Sequence, residues 1–416
     1  MPPEPIPAGV LADADTTSLA TLDVSRPERF QAETHWPYFA RLRRDDPVHF
    51  CPDSPYGPYW SITRYDDIVS IEANHRQFSS DGNVIIGDVR PEFETTRAFV
   101  TSDPPVHTRE RRAVAPAVSS GRVARLEDQT RAQIAALLDR LPRQEPFNWV
   151  ERVSNELTTE MIASLFDFPR EQRHRLAYWA AVVLTSPEAG ALTTSWEERD
   201  AIIGDYRSAM LEMWRVRARQ PTRGDILSTL ARNPDTASLT DDPARLIGLI
   251  TLMASANEAS RGALSACVVA FNQFPAEWEK LRADRSLAAN AAAEIIRWQT
   301  PISHMRRTAT ADVEFAGRSI RKGDRVVMWY CSANRDEAHF DAADRLQITR
   351  TNARGHLAFG AGIHRCLGSH VAEMQLRVLL EELLARFPRP EVVTVPRRTA
   401  SNFSAAYEDV VVRLST

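Results

Sequence analysis

The chain has 416 residues and a mass of 46.7 kDa, enough for a large core and, by length alone, about two or three domains. Hydrophobic residues make up 43%, charged residues 25%, and the formal charge is −4, the balance of an ordinary globular protein. That balance lacks the basic excess of an obligate nucleic-acid binder, so no nucleic-acid partner is expected. The positive charge is almost all arginine, Lys280 and Lys322 being the only lysines.

In chain order, residues 1–25 are polar and Pro-rich and read as a loose tail. They contain neither a basic n-region nor an apolar h-region, so no signal peptide is expected. No apolar run reaches the roughly 18 residues of a membrane span, so the expected protein is cytoplasmic, without a membrane anchor. From Pro47 to Ile68, aromatic and β-branched residues flank a Pro/Gly turn, the pattern of a small antiparallel sheet. Residues 119–272 are mostly helical in pattern, with apolar spacings of three and four broken at Pro142, Pro169, Pro187 and Pro221. A further helix, Leu287 to Gln299, ends before Pro301. Ala309 to Tyr330 alternates like a hairpin or small sheet around Gly317 and Gly323. A loop-rich stretch runs from Asn334 to Ala361, and a long helix follows from Leu367 to Phe387. The predicted class is mainly α with a small β portion. No repeat or low-complexity linker divides the chain.

Four cysteines, Cys51, Cys267, Cys331 and Cys366, are scattered without C-x-x-C spacing, which argues against a disulfide framework or a zinc ribbon. Cys366 has the most informative surroundings, HLAFGAGIHRCLGSHVAEM, where Gly360 and Gly362 allow close backbone approach and a helix begins just beyond. A cysteine at a helix N-terminus feels unpaired N–H groups and the positive end of the dipole, which favour the thiolate that a soft metal ligand needs. The plainer reading is a small buried cysteine beside a helix start. Arg365 stands where a dinucleotide fingerprint needs its third glycine. A zinc site would have His364 alone as a neighbouring ligand. A Cys–His nucleophile would lack an orienting acid.

Phe359 to Gly368, FGAGIHRCLG, resembles the haem-ligand loop of cytochromes P450, F-x-x-G-x-x-x-C-x-G. The resemblance implies haem b with Cys366 as axial thiolate, which favours O–O cleavage. It also implies that Phe359 packs beside the haem and that Gly362 lets the backbone approach the sulfur. Glu294-Ile295-Ile296-Arg297 matches the family's E-x-x-R, whose i, i+3 spacing puts both charges on one helical face. On the residues alone this is equally a solvated surface pair. The family pair is buried and joined by a loop arginine, and Arg345 occupies the matching place. DPPVHTRERR resembles the segment carrying H-x-x-x-R, here His107 and Arg111. With Arg307 and His364 these are the implied contacts to the haem propionates, Arg306 being a neighbouring alternative.

The resemblance runs from Pro37 to the C-terminus and implies one large P450 domain over residues 26–416. In the family, a central helix carries [AG]-G-x-[DE]-T, an acid and an alcohol that handle water and protons during oxygen activation. Here Ser255, Ala256, Asn257, Glu258 and Ala259 match it, with Ser260 one step later. The acid Glu258 is kept, while Ala259 replaces the threonine. The missing hydroxyl then comes from Ser260, from water or from substrate, or the protein is a specialised biosynthetic oxidase or peroxygenase, or a haem-binding protein with little turnover.

The implied substrate is a lipophilic small molecule: segments such as MWYCSANRDEAHFD look similar to bacterial members that hydroxylate alkanes, fatty acids, terpenes or sterol side chains. Val84, Ile85, Ile86, Leu252, Met253, Ala256 and Phe403 are the implied pocket residues. The implied partners are O2 and a ferredoxin with its reductase. Arg109, Arg112 and Arg365 would offer the ferredoxin a basic patch.

Overall fold

Val48–Cys51 and Tyr59–Ile62 pair antiparallel, Val48 opposite Ile62 and Cys51 opposite Tyr59. Gly57, at φ +79°, supplies the left-handed residue between them. In the computed structural model, which describes residues 6–88, 97–184, 192–221, 223–237, 239, 243–254 and 257–415, this hairpin is the edge of a five-stranded sheet. Tyr59–Ile62 runs parallel to Arg325–Trp329, which pairs antiparallel with His304–Ala309, and Phe78–Ser79 closes the other edge. The expected hairpin between Ala309 and Tyr330 therefore divides. Val313–Phe315 and Arg318–Ile320 form it, turned at Ala316 and Gly317, while Arg325–Trp329 joins the larger sheet. That strand is buried at Val326, Val327, Met328 and Trp329, so pairing on both sides fits its apolar run.

The chain forms two compact units, residues 1–88, 134–154 and 259–416 in one, and 89–133 and 155–258 in the other. The first contains the five-stranded sheet. Its helix Ala288–Gln299 is rich in alanine, the best helix former, and its residues from Ala291 to Gln299 are all buried. It ends on Thr300, at φ +46°, before Pro301, and packs against Ser369–Arg386. The latter begins two residues later than its apolar pattern predicts. The helix Asn257–Gln273 is tied at Leu264, whose carbonyl accepts from Trp149 Nε1 at 3.1 Å, and at Ser265, whose hydroxyl lies 2.8 Å from that of Ser154. Phe147–Asn148, inside the stretch that reads as helical, is a short strand on Val411–Arg413. Its partner lies more than 260 residues away, beyond any local pattern.

The second unit is helical, with Val106–Val114, Asn155–Phe166, Arg173–Leu184, Trp196–Arg219, Ile226–Arg232 and Pro243–Ala254. Tyr206 is fully buried, 5.5 Å from the Trp179 ring, and accepts from Thr251 at 3.3 Å. Arg245 pairs with the buried carboxylate of Glu110 and donates to Ser102 at 3.0 Å. Among the described residues, no helix is long and apolar enough to cross a membrane.

Glu294 and Arg297 are fully buried, which removes the surface-pair reading. Arg297 Nε and Nη2 donate to the two Glu294 oxygens at 2.7 and 2.8 Å. The loop arginine that joins them is Arg350, with Nε 3.0 and 3.1 Å from the same oxygens. This corrects the expectation for Arg345, which is exposed and supplies only its backbone carbonyl, accepting from Arg297 at 2.9 Å. The Arg345 guanidinium lies 5.8 Å from the Phe274 ring. Arg350 takes the site because it is buried on the inner side of the loop, where it also donates to Asp341 O at 2.6 Å.

Candidate active site

Three of the four cysteines are poor metal donors here. Burial pushes the Cys51 thiol up to about 11 and those of Cys267 and Cys331 to about 12, keeping them protonated. Cys366 is exposed. Its N–H donates to Phe359 O at 2.7 Å, closing a loop that turns through Gly360 at φ +65° and Gly362 at φ +61° and contains the short 3-10 turn Gly362–His364. The 18-residue helix Ser369–Arg386 starts just beyond. An accessible sulfur on a glycine-turned loop before a long helix is the donor that an axial thiolate requires, so the residues present fit a haem ligated through cysteine. Phe359 lies between His356, 5.2 Å away, and the Arg365 guanidinium at 6.0 Å.

Gly362 has no freedom to be another residue. A Cβ there would lie 2.2 Å from the backbone oxygen of Glu72. At Gly360 a Cβ would meet Tyr330 Oη at 3.2 Å and Glu72 Oε1 at 3.4 Å. The loop therefore rests on the helix Tyr65–Ala73, which buries Ile68, Ile71 and Glu72. Arg307 is buried on the strand His304–Ala309. Its Nη2 donates to Glu72 Oε2 at 2.6 Å and its Nη1 to Arg306 O at 2.9 Å. Arg306, next on the strand, projects to the other face. Its N–H donates to Val84 O at 2.8 Å, and burial lowers its guanidinium to about 10.

His107 and Arg111 lie one helical turn apart on Val106–Val114, and the Phe99 ring receives both, at 6.1 and 5.8 Å. Their common face was legible in their spacing. Glu258 is exposed in the first turn of Asn257–Gln273, and Ala259 and Ser260 follow half-buried. Leu252 and Met253 are half-buried on Pro243–Ala254, while Ala256 lies outside the described residues.

The pocket expectations divide. Val84 and Phe403 flank His304: Arg306 N–H binds Val84 O, Ser303 N–H binds Phe403 O at 2.8 Å, and the Phe403 ring lies 5.4 Å from the imidazole. Ile85 is 37% exposed. Ile86 packs into a core cluster with Leu22, Trp329 and Cys331, and its N–H donates to His304 Nε2 at 3.2 Å. Of the expected basic patch, Arg112 is bound to Asp235 at 3.0 Å and Arg365 reaches Ser369 at 3.3 Å. Glu72 was missed. Its signal is an acid at the core-facing i, i+3, i+4 positions of an otherwise apolar helix face.

The cytochrome P450 family profile matches residues 268–402. The chain is 35% identical to linalool 8-monooxygenase of Pseudomonas putida, over 92% of this chain and 96% of that protein. It is 31% identical to a methyl-branched lipid omega-hydroxylase of Mycobacterium tuberculosis, over 88% of this chain and 87% of that one. Its fold resembles that of cytochrome P450-153 from Novosphingobium aromaticivorans at a TM-score of 0.85 and 38% identity, covering 94% and 99% of the two chains. A haem-thiolate oxygenase is the class that fold and site define. The chain belongs to the cytochrome P450 family and is a monooxygenase that binds haem through an axial cysteine thiolate.

Proposed function

We propose that the protein is a cytoplasmic monooxygenase that hydroxylates a lipophilic small molecule, terpenoid, fatty acid, alkane or sterol-like, with O2 and electrons passed by a reductase and a ferredoxin. The activities of two relatives, on linalool and on methyl-branched lipids, support that substrate class. The observation that carries the reading is Cys366, the exposed thiol of the glycine-turned loop. Bound haem supplies O2 binding and two-electron oxidation of the substrate. Cys366 is its thiolate ligand, Phe359 and Gly362 shape the ligand loop, and His107, Arg111, Arg307 and His364 are the donors to its propionates. Purified protein is expected to form product from NADPH with a surrogate ferredoxin pair, and Cys366→Ala to form none. A reduced CO complex lacking the red-shifted Soret band of thiolate ligation overturns the reading.

Glu258 and Ser260 are the proton-handling residues of this reading. Ala259 has no hydroxyl, and one helical step turns a side chain by about 100°, so Ser260 does not simply replace the missing threonine. That observation favours atypical proton delivery as a second reading, with water or substrate providing the hydroxyl. Ser260→Ala is expected to lower product per NADPH more than Ala259→Gly. Equal coupling in the two variants removes Ser260 from the relay.

A further inference from the structure

The deepest acid beside the ligand loop has no role in the chemistry described above. Glu72 is 3% exposed, on the buried face of Tyr65–Ala73. Both carboxylate oxygens are engaged by groups from the sheet side. Arg307 Nη2 donates to Oε2 at 2.6 Å, and the Tyr330 hydroxyl donates to Oε1. Burial, aided by the neighbouring carboxylate, pushes Tyr330 well above its ordinary range and keeps it a donor. A carboxylate this buried is costly unless fully paired, and here it is paired with a cation that is itself 3% exposed.

The same residue forms the floor of the ligand loop. Its backbone oxygen occupies the space of a Gly362 Cβ, and Oε1 with Tyr330 Oη closes over Gly360. The loop runs from these glycines to Cys366, whose N–H is bound back to Phe359 O. Displacing the Glu72 carboxylate would release Arg307 and Tyr330 and loosen the surface on which Gly360 and Gly362 lie. Arg307 uses Nη1 and Nη2 for Arg306 O and Glu72, which fixes the guanidinium plane and leaves the rest of its fork for another anion.

We propose that Glu72 is a positioning residue for the haem. Through Tyr330 and its own backbone it braces the Gly360–Gly362 turn that carries Cys366, and through Arg307 it orients a propionate donor. The proposal rests on the assignment of Cys366 as the thiolate ligand. A merely structural ion pair would affect melting, whereas a positioning residue also affects how firmly thiolate-ligated haem is held.

Glu72→Gln keeps the shape and removes the charge, and Tyr330→Phe removes one donor to the same carboxylate. For the holoprotein, transfer of haem to excess apomyoglobin is expected to be about tenfold faster in Glu72→Gln and about threefold faster in Tyr330→Phe, the scale of lost hydrogen bonds to a charged group. Part of the Glu72→Gln CO complex is expected to lose the thiolate-type Soret band. The double variant should fall short of the product of the two single effects, since both act on one carboxylate. Glu337→Gln, which breaks the Arg43 pair at 2.9 Å on an exposed acid, should leave both readouts at the wild-type value. Transfer within twofold of wild type with an unchanged CO band in Glu72→Gln overturns the proposal. If Glu72→Gln does not accumulate folded, Tyr330→Phe decides by the same two readouts. Wild-type protein without a thiolate-type band overturns instead the assignment of Cys366 beneath it.

Discussion

Replacing Arg350 by alanine tests the buried charge cluster directly. Glu294, fully buried, accepts from Arg297 at 2.7 and 2.8 Å, from Arg350 at 3.0 and 3.1 Å, and from the Gln347 N–H at 2.9 Å. Without Arg350 the carboxylate keeps one cation and loses two charge-assisted bonds, while Asp341 O loses its donor at 2.6 Å. Breaking a buried pair of this kind costs about 3–5 kcal/mol. At about 2.1 cal/mol/K per residue, the unfolding entropy of a chain this long is about 0.9 kcal/mol/K, so Tm should fall by about 3–6 °C. Arg345→Ala removes an exposed side chain and should cost about 0.5 kcal/mol or less, under about 1 °C. Scanning calorimetry of the two holoproteins at one scan rate makes the comparison. Equal shifts, or a larger one for Arg345→Ala, would refute the assignment of Arg350 as the third member.

Gly362→Ala places a Cβ 2.2 Å from Glu72 O at φ +61°, so the ligand loop must move, and haem content after purification should fall well below wild type. Gly317→Ala shares a positive φ, +75°, but meets nothing within 4 Å; only the backbone cost of about 1–2 kcal/mol is expected, read by chemical denaturation, with haem content unchanged. Burial holds His304 down at about 4 and both His35 and His356 at about 3, against roughly 6.5 in the unfolded chain. Because these folded values are depressed, their contribution is complete above about pH 6.5 and is lost as pH falls toward 4 or 3. Each removes about 2 kcal/mol by pH 5. His304→Gln should therefore shrink the stability difference between pH 7 and pH 5 by about that amount, and an undiminished difference in denaturation at the two pH values would contradict it.

What the sequence disclosed was local. Ala-rich Ala288–Gln299 and the Pro301 stop, the hairpin at Gly317 and the glycine-turned cysteine loop all follow from residues close to one another in the chain. The parallel pairing of Tyr59–Ile62 with Arg325–Trp329 joins strands over 260 residues apart, and no periodicity encodes it. The choice between Arg345 and Arg350 depends on which side of an irregular loop each faces, which spacing does not reveal. His107 and Arg111 were legible because a helix converts a separation of four into a common face. Glu72 was overlooked because an isolated acid in a short helix reads as solvated, and its partners come from strands far along the chain.

His304 accepts from the Ile86 N–H through Nε2 at 3.2 Å, and its Nδ1 lies 3.0 Å from Asn402 O. A neutral ring can serve both only with its proton on Nδ1, so a single tautomer rivets the segment around Val84 to the turn bearing Phe403. Neither segment can shift without pulling on the other through that ring. Moving either segment therefore costs one of the two bonds of that ring, so Val84 and Phe403 keep their places together or give them up together.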